Sequence, residues 1–290
     1  MKLLVTGATG RLGTKVVDTI LKSIPASQLA VSVRNPEKAA GLQARGVEVR
    51  HGDFDRPETL DSAFAGIDRL LLISTDGDNE TRIRQHANAI AAAQRAQVGF
   101  IAYTSAPNAS ESKLFLALVH RLTEEAIIKS GIPYSFLRNN WYLENEIGTI
   151  QGVMAGSPWV TSAGSGKSGW ALQQDYAEAA AAVLAGKGHA NTVYELSGKL
   201  LTQEELASEL GMVLGKEVQV QQVDDATYAD IMKGVGVPEF AIPIVVGIQQ
   251  GIREGTLEIP SDDLEKLLGR PLAPIRDTLT QIVNGISQAK

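Results

Sequence analysis

The sequence predicts an α/β protein: a doubly wound parallel sheet with a smaller, mainly helical C-terminal lobe. Three observations carry this. Residues 1–13, MKLLVTGATGRLG, set an apolar run directly before Gly7, Gly10 and Gly13, and a helical apolar face follows at Val16, Val17, Ile20 and Leu21. The first 140 residues alternate short apolar runs with helical patterns, which is the signature of parallel strands joined by crossover helices. After about residue 140 that rhythm is lost.

The opening stretch reads as strand, glycine turn, helix, the Rossmann-type arrangement for a dinucleotide. Unpaired N–H groups at a helix N-terminus, with the positive end of the helix dipole, favour a diphosphate. Gly7 suits the tight turn, Gly10 the close approach of backbone to ligand, and Gly13 the packing of helix on sheet. A purely structural turn between strand and helix is the bland alternative.

Further strands are expected at Leu29–Val33, Val47–Val49, Arg69–Ile73, Phe100–Thr104 and Tyr134–Leu137. The run Arg69–Ile73 is almost wholly apolar, as in a central strand buried on both faces. Helices are expected over 36–45, 80–97 and 113–130. Later come loop-like Gly156–Pro158 and Ala163–Lys167, an alanine-rich helix Asp175–Leu184, and one more strand at Thr192–Leu196. Thr202 and Glu205 form a capping box before a helix to about 214. The expected plan is a nucleotide domain over 1–150 and a substrate lobe over 151–290, intertwined through about 140–200.

Composition excludes several classes. The net charge is −6 with no lysine- or arginine-rich run, so nucleic acid is not an expected partner. Cysteine is absent, which removes disulfides, thiolate metal sites and cysteine nucleophiles. His51, His86, His120 and His189 form no pair at metal spacing, so no metal is expected. No apolar run approaches a membrane span and residues 1–6 are too short for a signal-peptide core, so the expectation is a cytoplasmic protein. No pattern in one chain sets the oligomeric state, and a homo-oligomer stays open.

The end of the second strand distinguishes the cofactors. NAD-binding units place an acid there for the ribose 2′-OH. Here the segment reads Val33-Arg34-Asn35-Pro36, and Arg34 takes the acid's place. A guanidinium suits a 2′-phosphate, and Arg11 could join it, so NADPH is favoured over NADH. A solvated surface arginine is the alternative. At the next strand ends, Asp53 could accept from an adenine amino group while Phe54 covers the ring. Ser74 and Thr75 would face the cofactor from the fourth strand. A turn role for Asp53 and a helix-cap role for Ser74 weigh equally.

Six segments together resemble the atypical short-chain dehydrogenase/reductases, and within them the NmrA-like subgroup with its quinone and triphenylmethane-dye reductases. They are Thr6–Gly13, Val33–Lys38, Gly52–Asp55, Phe100–Ser105, Leu137–Tyr142 and Asp263–Pro271. The resemblance implies a flavin-free reductase that takes hydride from NADPH. It implies that Gly7, Ala8, Thr9, Gly10, Arg11 and Leu12 hold the diphosphate and that Arg34 reads the 2′-phosphate. It places Asn139, Asn140, Trp141, Tyr142 and Glu144 beside the nicotinamide, and a closing loop at about Lys167–Trp170.

One expected element is missing. Ordinary short-chain dehydrogenases protonate a carbonyl with a tyrosine paired to a lysine four residues on. None of Tyr103, Tyr134, Tyr142, Tyr176, Tyr194 and Tyr228 has that lysine. The absence suits a quinone or related electron-poor acceptor, which needs positioning more than an acid. His120 is the best candidate for proton relay, with Glu124 one turn later as its partner. Ser105 could hold an acceptor oxygen. A structural His–Glu pair and a strand-ending serine are the alternatives. Trp141, Tyr142, Trp159 and Trp170 could wall a flat pocket or fill the lobe core. The same missing acid also suits a non-catalytic NAD(P)-binding redox sensor, the second functional reading.

Overall fold

The computed structural model describes residues 1–288. Five βα steps and a sixth strand lead in: β1 (Leu3–Thr6), α1 (Arg11–Ile20), β2 (Leu29–Val33), α2 (Ala40–Ala44), β3 (Glu48–His51), α3 (Leu60–Phe64), β4 (Arg69–Leu72), α4 (Asn79–Arg95), β5 (Phe100–Ser105), α5 (Ala117–Ser130) and β6 (Tyr134–Asn139). Then come β7 (Trp141–Tyr142), α6 (Ile147–Met154), β8 (Trp159–Thr161), β9 (Lys167–Ala171), α7 (Gln173–Ala185) and β10 (Thr192–Leu196). The chain ends with β11 (Lys199–Thr202), α8 (Gln203–Leu214), β12 (Val220–Gln222), α9 (Asp225–Gly234), α10 (Ile242–Arg253), α11 (Asp263–Leu268) and α12 (Ile275–Gln288).

Seven strands form one sheet in the order β3-β2-β1-β4-β5-β6-β10, and every pairing is parallel. The strand order reverses between β1 and β4, so a crevice opens at their carboxyl ends. Alternate side chains serve opposite faces. Leu3, Val5 and Leu71 pack under α1, α7 and α11; Leu4, Leu70, Leu72 and Tyr103 pack under α3, α4 and α5. Ala177, Ala179, Ala180 and Ala181 are all buried on α7, whose small side chains let it lie against α1.

The lobe is built on Trp159 and Trp170, both almost wholly buried with Leu143, Ile150, Leu206, Leu210 and Leu279. These two tryptophans are therefore lobe core, and neither lines the crevice at the ends of β1 and β4. The lobe is mainly helical, but it also holds two small sheets that periodicity did not indicate: β11-β9-β7 and β12-β8. Strands of two to five residues are too short to show an alternation. The capping box forms, with Glu205 N–H donating to Thr202 Oγ1 at 3.1 Å and Thr202 N–H to Glu205 Oε2 at 2.8 Å. The helix expected from about 113 starts at Ala117, because the preceding residues are spent in turns, with Asn108 at φ +45°.

The two parts are interleaved. α7, β10 and α11 all return to the seven-stranded sheet from within the C-terminal half. No helix among the described residues is long and apolar enough to cross a membrane.

Candidate cofactor cleft

At the crevice between β1 and β4, Gly7 has φ +62°, a conformation that favours glycine. Gly10 N–H donates to the Gly7 carbonyl at 3.0 Å and closes the turn. A Cβ on Gly13 would run into that same carbonyl. The first turn of α1 carries no acidic side chain and no side-chain cap. Among the described residues, the N–H groups of Arg11, Leu12 and Gly13 meet no protein acceptor. The turn is therefore an open cradle of donors at a helix N-terminus, and it fits a diphosphate. Ala8 is buried beneath it, and its carbonyl accepts from Thr14 Oγ1 at 3.2 Å.

A cleft of about 800 Å³ runs from this turn across the sheet edge. Gly7, Thr9, Gly10, Arg11, Leu12, Gly13, Arg34, Asp53, Phe54, Ser74, Thr75 and Tyr142 line it, as the sequence suggests. At one end the exposed Arg11 and Arg34 make no salt bridge among the described residues. Two unpaired guanidiniums fit a 2′-phosphate. Next to them the Ser32 hydroxyl is buried without a partner, and a Cβ on Gly52 would run into it. Asp53 serves its own turn as well as the wall: its Oδ1 accepts from Asp55 N–H at 3.0 Å.

The other end is built by strand-end loops. Ser74 N–H donates to Thr104 Oγ1 at 2.8 Å, and Thr75 N–H to His86 Nε2 at 3.0 Å. Tyr142 packs edge-on against Tyr176 with ring centroids 5.0 Å apart, and its Oη accepts from Asn139 Nδ2 at 2.9 Å. Burial raises the Tyr142 phenol to about 12, so it stays protonated. Asn139, Asn140, Trp141 and Glu144 stand behind this wall rather than in it. Asn140 ties Ser197 Oγ and the Leu257 carbonyl to the β6 end, at 3.2 and 3.0 Å. Trp141 Nε1 donates to Glu146 at 3.0 Å. Both Glu144 oxygens accept the Gln173 N–H, capping α7 at 2.9 and 3.1 Å. The segment Lys167–Trp170 lies in strand β9, paired along its length with β11 and at Trp170 also with β7, and so is no closing loop.

Ser105 and His120 do not line the cleft, and the expected His120–Glu124 pair does not form. Glu124 is drawn instead to Arg138 Nη2 at 2.7 Å and to the Ser105 hydroxyl at 2.6 Å. A guanidinium wins this competition because burial makes an unpaired carboxylate costly. His120 contacts Tyr103 Oη at 2.9 Å and Arg82 Nη2 at 3.3 Å. Burial, then the Arg82 charge, lowers it from 6.5 to about 3, so it is neutral at pH 7 and is no acid there.

Sequence reasoning missed Ser32, Asp76, Gln85, Thr104, Asn145 and Gln173 in the wall. Ser32 was findable: it lies two residues before Arg34 on β2 and so shares its side of the strand. Gln173 and Asn145 carried no signal, because only the tertiary return of α7 brings them to the cleft.

The sheet order, the glycine cradle and the free arginines define a Rossmann-type dinucleotide-binding protein. The NmrA-like family model matches residues 1–252, and the chain belongs to that family. It is 40% identical over 281 residues to quinone oxidoreductase 2 of Escherichia coli (strain K12), covering 97% of this chain and 98% of that one. The structure of triphenylmethane reductase from Citrobacter sp., complexed with NADP(H), superposes with a TM-score of 0.93 at 44% identity, over 97% of this chain and all (100%) of that one. An NADPH-dependent quinone oxidoreductase of Escherichia coli, complexed with NADPH, superposes with a TM-score of 0.94 at 40% identity, again over 97% and 100%.

Proposed function

We propose that this protein is an NADPH-dependent oxidoreductase that reduces a quinone or a related electron-poor acceptor by direct hydride transfer, without a flavin. The observation that carries the reading is the make-up of the cleft wall. It joins a diphosphate cradle and two unpaired arginines at one end to an end with a single tyrosine, Tyr142, and no lysine. The relatives named above, which reduce quinones and triphenylmethane dyes, support the same acceptor class.

NADPH, when bound, supplies the hydride. The chain's residues bind and orient. Backbone N–H groups of Arg11, Leu12 and Gly13 hold the diphosphate. Arg34 and Arg11 hold the 2′-phosphate, and Ser32, Asp53 and Phe54 receive the adenosine half. Ser74, Thr75 and Tyr142 orient the nicotinamide half, while Ala8, Asn139, Asn140, Trp141 and Glu144 fix the surrounding backbone. Tyr142 Oη accepts from Asn139, so its own proton is free to point into the cleft. Tyr142, held protonated by burial, is no strong acid at pH 7, so the acceptor is one reactive enough to need only positioning, with water completing its protonation.

The test is an NADPH oxidation screen over benzoquinones, azo dyes and triphenylmethane dyes, with flavin absorbance checked on the purified protein. Steady oxidation by a quinone without flavin is expected. NADPH binding with no acceptor turned over would sink the reading and leave a redox sensor.

A further inference from the structure

Behind the cleft, between α4, β5 and α5, lies a buried string of polar side chains whose donors and acceptors can be assigned in turn. Arginine only donates. Arg82 Nη2 stands 3.3 Å from His120 Nε2, which makes that nitrogen an acceptor. His120 then carries its proton on Nδ1 and donates to Tyr103 Oη at 2.9 Å. Tyr103 Oη is the acceptor in that bond. From the cleft side, the Thr75 amide N–H donates to His86 Nε2 at 3.0 Å. His86 therefore also carries its proton on Nδ1, and donates it to Thr123 Oγ1 at 2.8 Å. Thr123 passes its own hydroxyl proton to the Val119 carbonyl at 2.7 Å.

This assignment satisfies every ring nitrogen with both histidines neutral. Protonating His86 would set two N–H donors against each other at Thr75. The charged or titratable groups around it are Arg82 on its own helix, Tyr103 on β5, His120 on α5 and Asp76 in the loop after β4. Burial and the Arg82 charge keep His86 near 3. Its cleft-side nitrogen faces the Thr75 amide, which neither gives nor takes a proton, with the Thr75 hydroxyl beside it at 3.2 Å. This geometry is one of support. The two successive amides after β4, Ser74 and Thr75, are pinned by Thr104 from the sheet and by His86 from the helix. The Thr75 hydroxyl lies 3.2 Å from the same ring nitrogen, and Thr75 lines the cleft.

We propose that His86 is a positioning residue of the cofactor cleft: a neutral, Nδ1-protonated ring whose acceptor nitrogen fixes Thr75 against the bound dinucleotide. The proposal rests on the reading of the cleft as the NADPH site.

Three variants separate position from bulk. His86→Gln can keep an acceptor near the Nε2 position, whereas His86→Asn reaches only the Nδ1 position and serves Thr123, and His86→Ala serves neither. His86→Gln should hold the NADPH Kd within about 3-fold of wild type. His86→Asn and His86→Ala should each weaken it about 10-fold, as for a buried amide left unsatisfied, with KM for NADPH rising more than kcat falls. Without any cofactor, amide hydrogen exchange at Thr75 should quicken in His86→Asn and stay slow in His86→Gln. Nitrogen NMR of the wild-type ring should report the Nδ1–H tautomer from pH 5 to 9. An Nε2–H ring, or equal impairment of the Gln and Asn variants while wild type binds NADPH, overturns the proposal alone. A wild type that binds no NADPH overturns the cleft reading, and the proposal with it.

Discussion

Arg138 grips Glu124 through two hydrogen bonds, Nε to Oε1 at 3.0 Å and Nη2 to Oε2 at 2.7 Å, at the carboxyl end of β6. Both side chains are buried, and the same carboxylate takes the Ser105 hydroxyl. The third guanidinium nitrogen reaches Glu195 at 3.0 Å, which itself accepts the Asn108 N–H. Arg138 thus joins β5, β6, β10 and the turn after β5 in one charged junction.

Removing one partner of such a pair strands the other in low dielectric. Arg138→Ala should lower unfolding free energy by about 3–5 kcal/mol in urea titrations, because two carboxylates lose their cation. The double variant Arg138→Met with Glu124→Leu should recover much of that loss. Equal instability of the single and double variants would show that packing, not charge, dominates there.

Arg34 tests the cofactor preference. Arg34→Ala should weaken NADPH about 10- to 100-fold, the range for a lost charge-assisted bond to phosphate, and leave NADH nearly unchanged. Fluorescence titration with both cofactors measures it. Equal losses would take Arg34 off the 2′-phosphate.

Gly13 tests the cradle. A methyl group there meets the Gly7 carbonyl, so Gly13→Ala must push α1 away from the turn. NADPH binding should fall about 100-fold, since several backbone donors move together, while the far-UV spectrum stays native. Wild-type affinity in this variant would mean that the turn yields without cost.

The two histidines set an acid limit. Each is lowered from 6.5 to about 3 by burial, so between those values the unfolded chain binds protons that the folded chain does not. Stability is then complete above about pH 6.5 and falls as pH drops toward 3, by up to about 1.4 kcal/mol per unit for each histidine. Urea midpoints at pH 7, 6, 5 and 4 check the slope, and His120→Gln should flatten it. A flat profile in the wild type would mean that both rings charge freely in the fold.

The sheet and the glycine turn were legible because their signals are local. Apolar runs, glycine spacing and the Arg34 substitution all lie within a few residues of what they report. The Tyr142 wall was reached only through resemblance. The His120–Glu124 expectation failed for a physical reason: helical spacing puts two residues on one face, but Arg138, fourteen residues beyond Glu124 in sequence, outbids an imidazole for a buried carboxylate. Likewise His86 looked like an isolated histidine, since its partners Thr75 and Thr123 come from two other segments.

The return of α7 and β10 to the nucleotide sheet has a consequence for how such a chain can change over time. Lobe material enters as two inserts: one between β6 and α7, held to the sheet at both ends because α7 packs against it, and one that leaves from β10. Tyr142, Asn145 and Gln173 sit at these anchor points and also face the cleft. Replacing an insert to suit another acceptor therefore replaces residues next to the cofactor as well. On the proposed reading, the segments that border the acceptor and those that grip the cofactor change together, and a graft that spares the crossing segments is the one that should keep both.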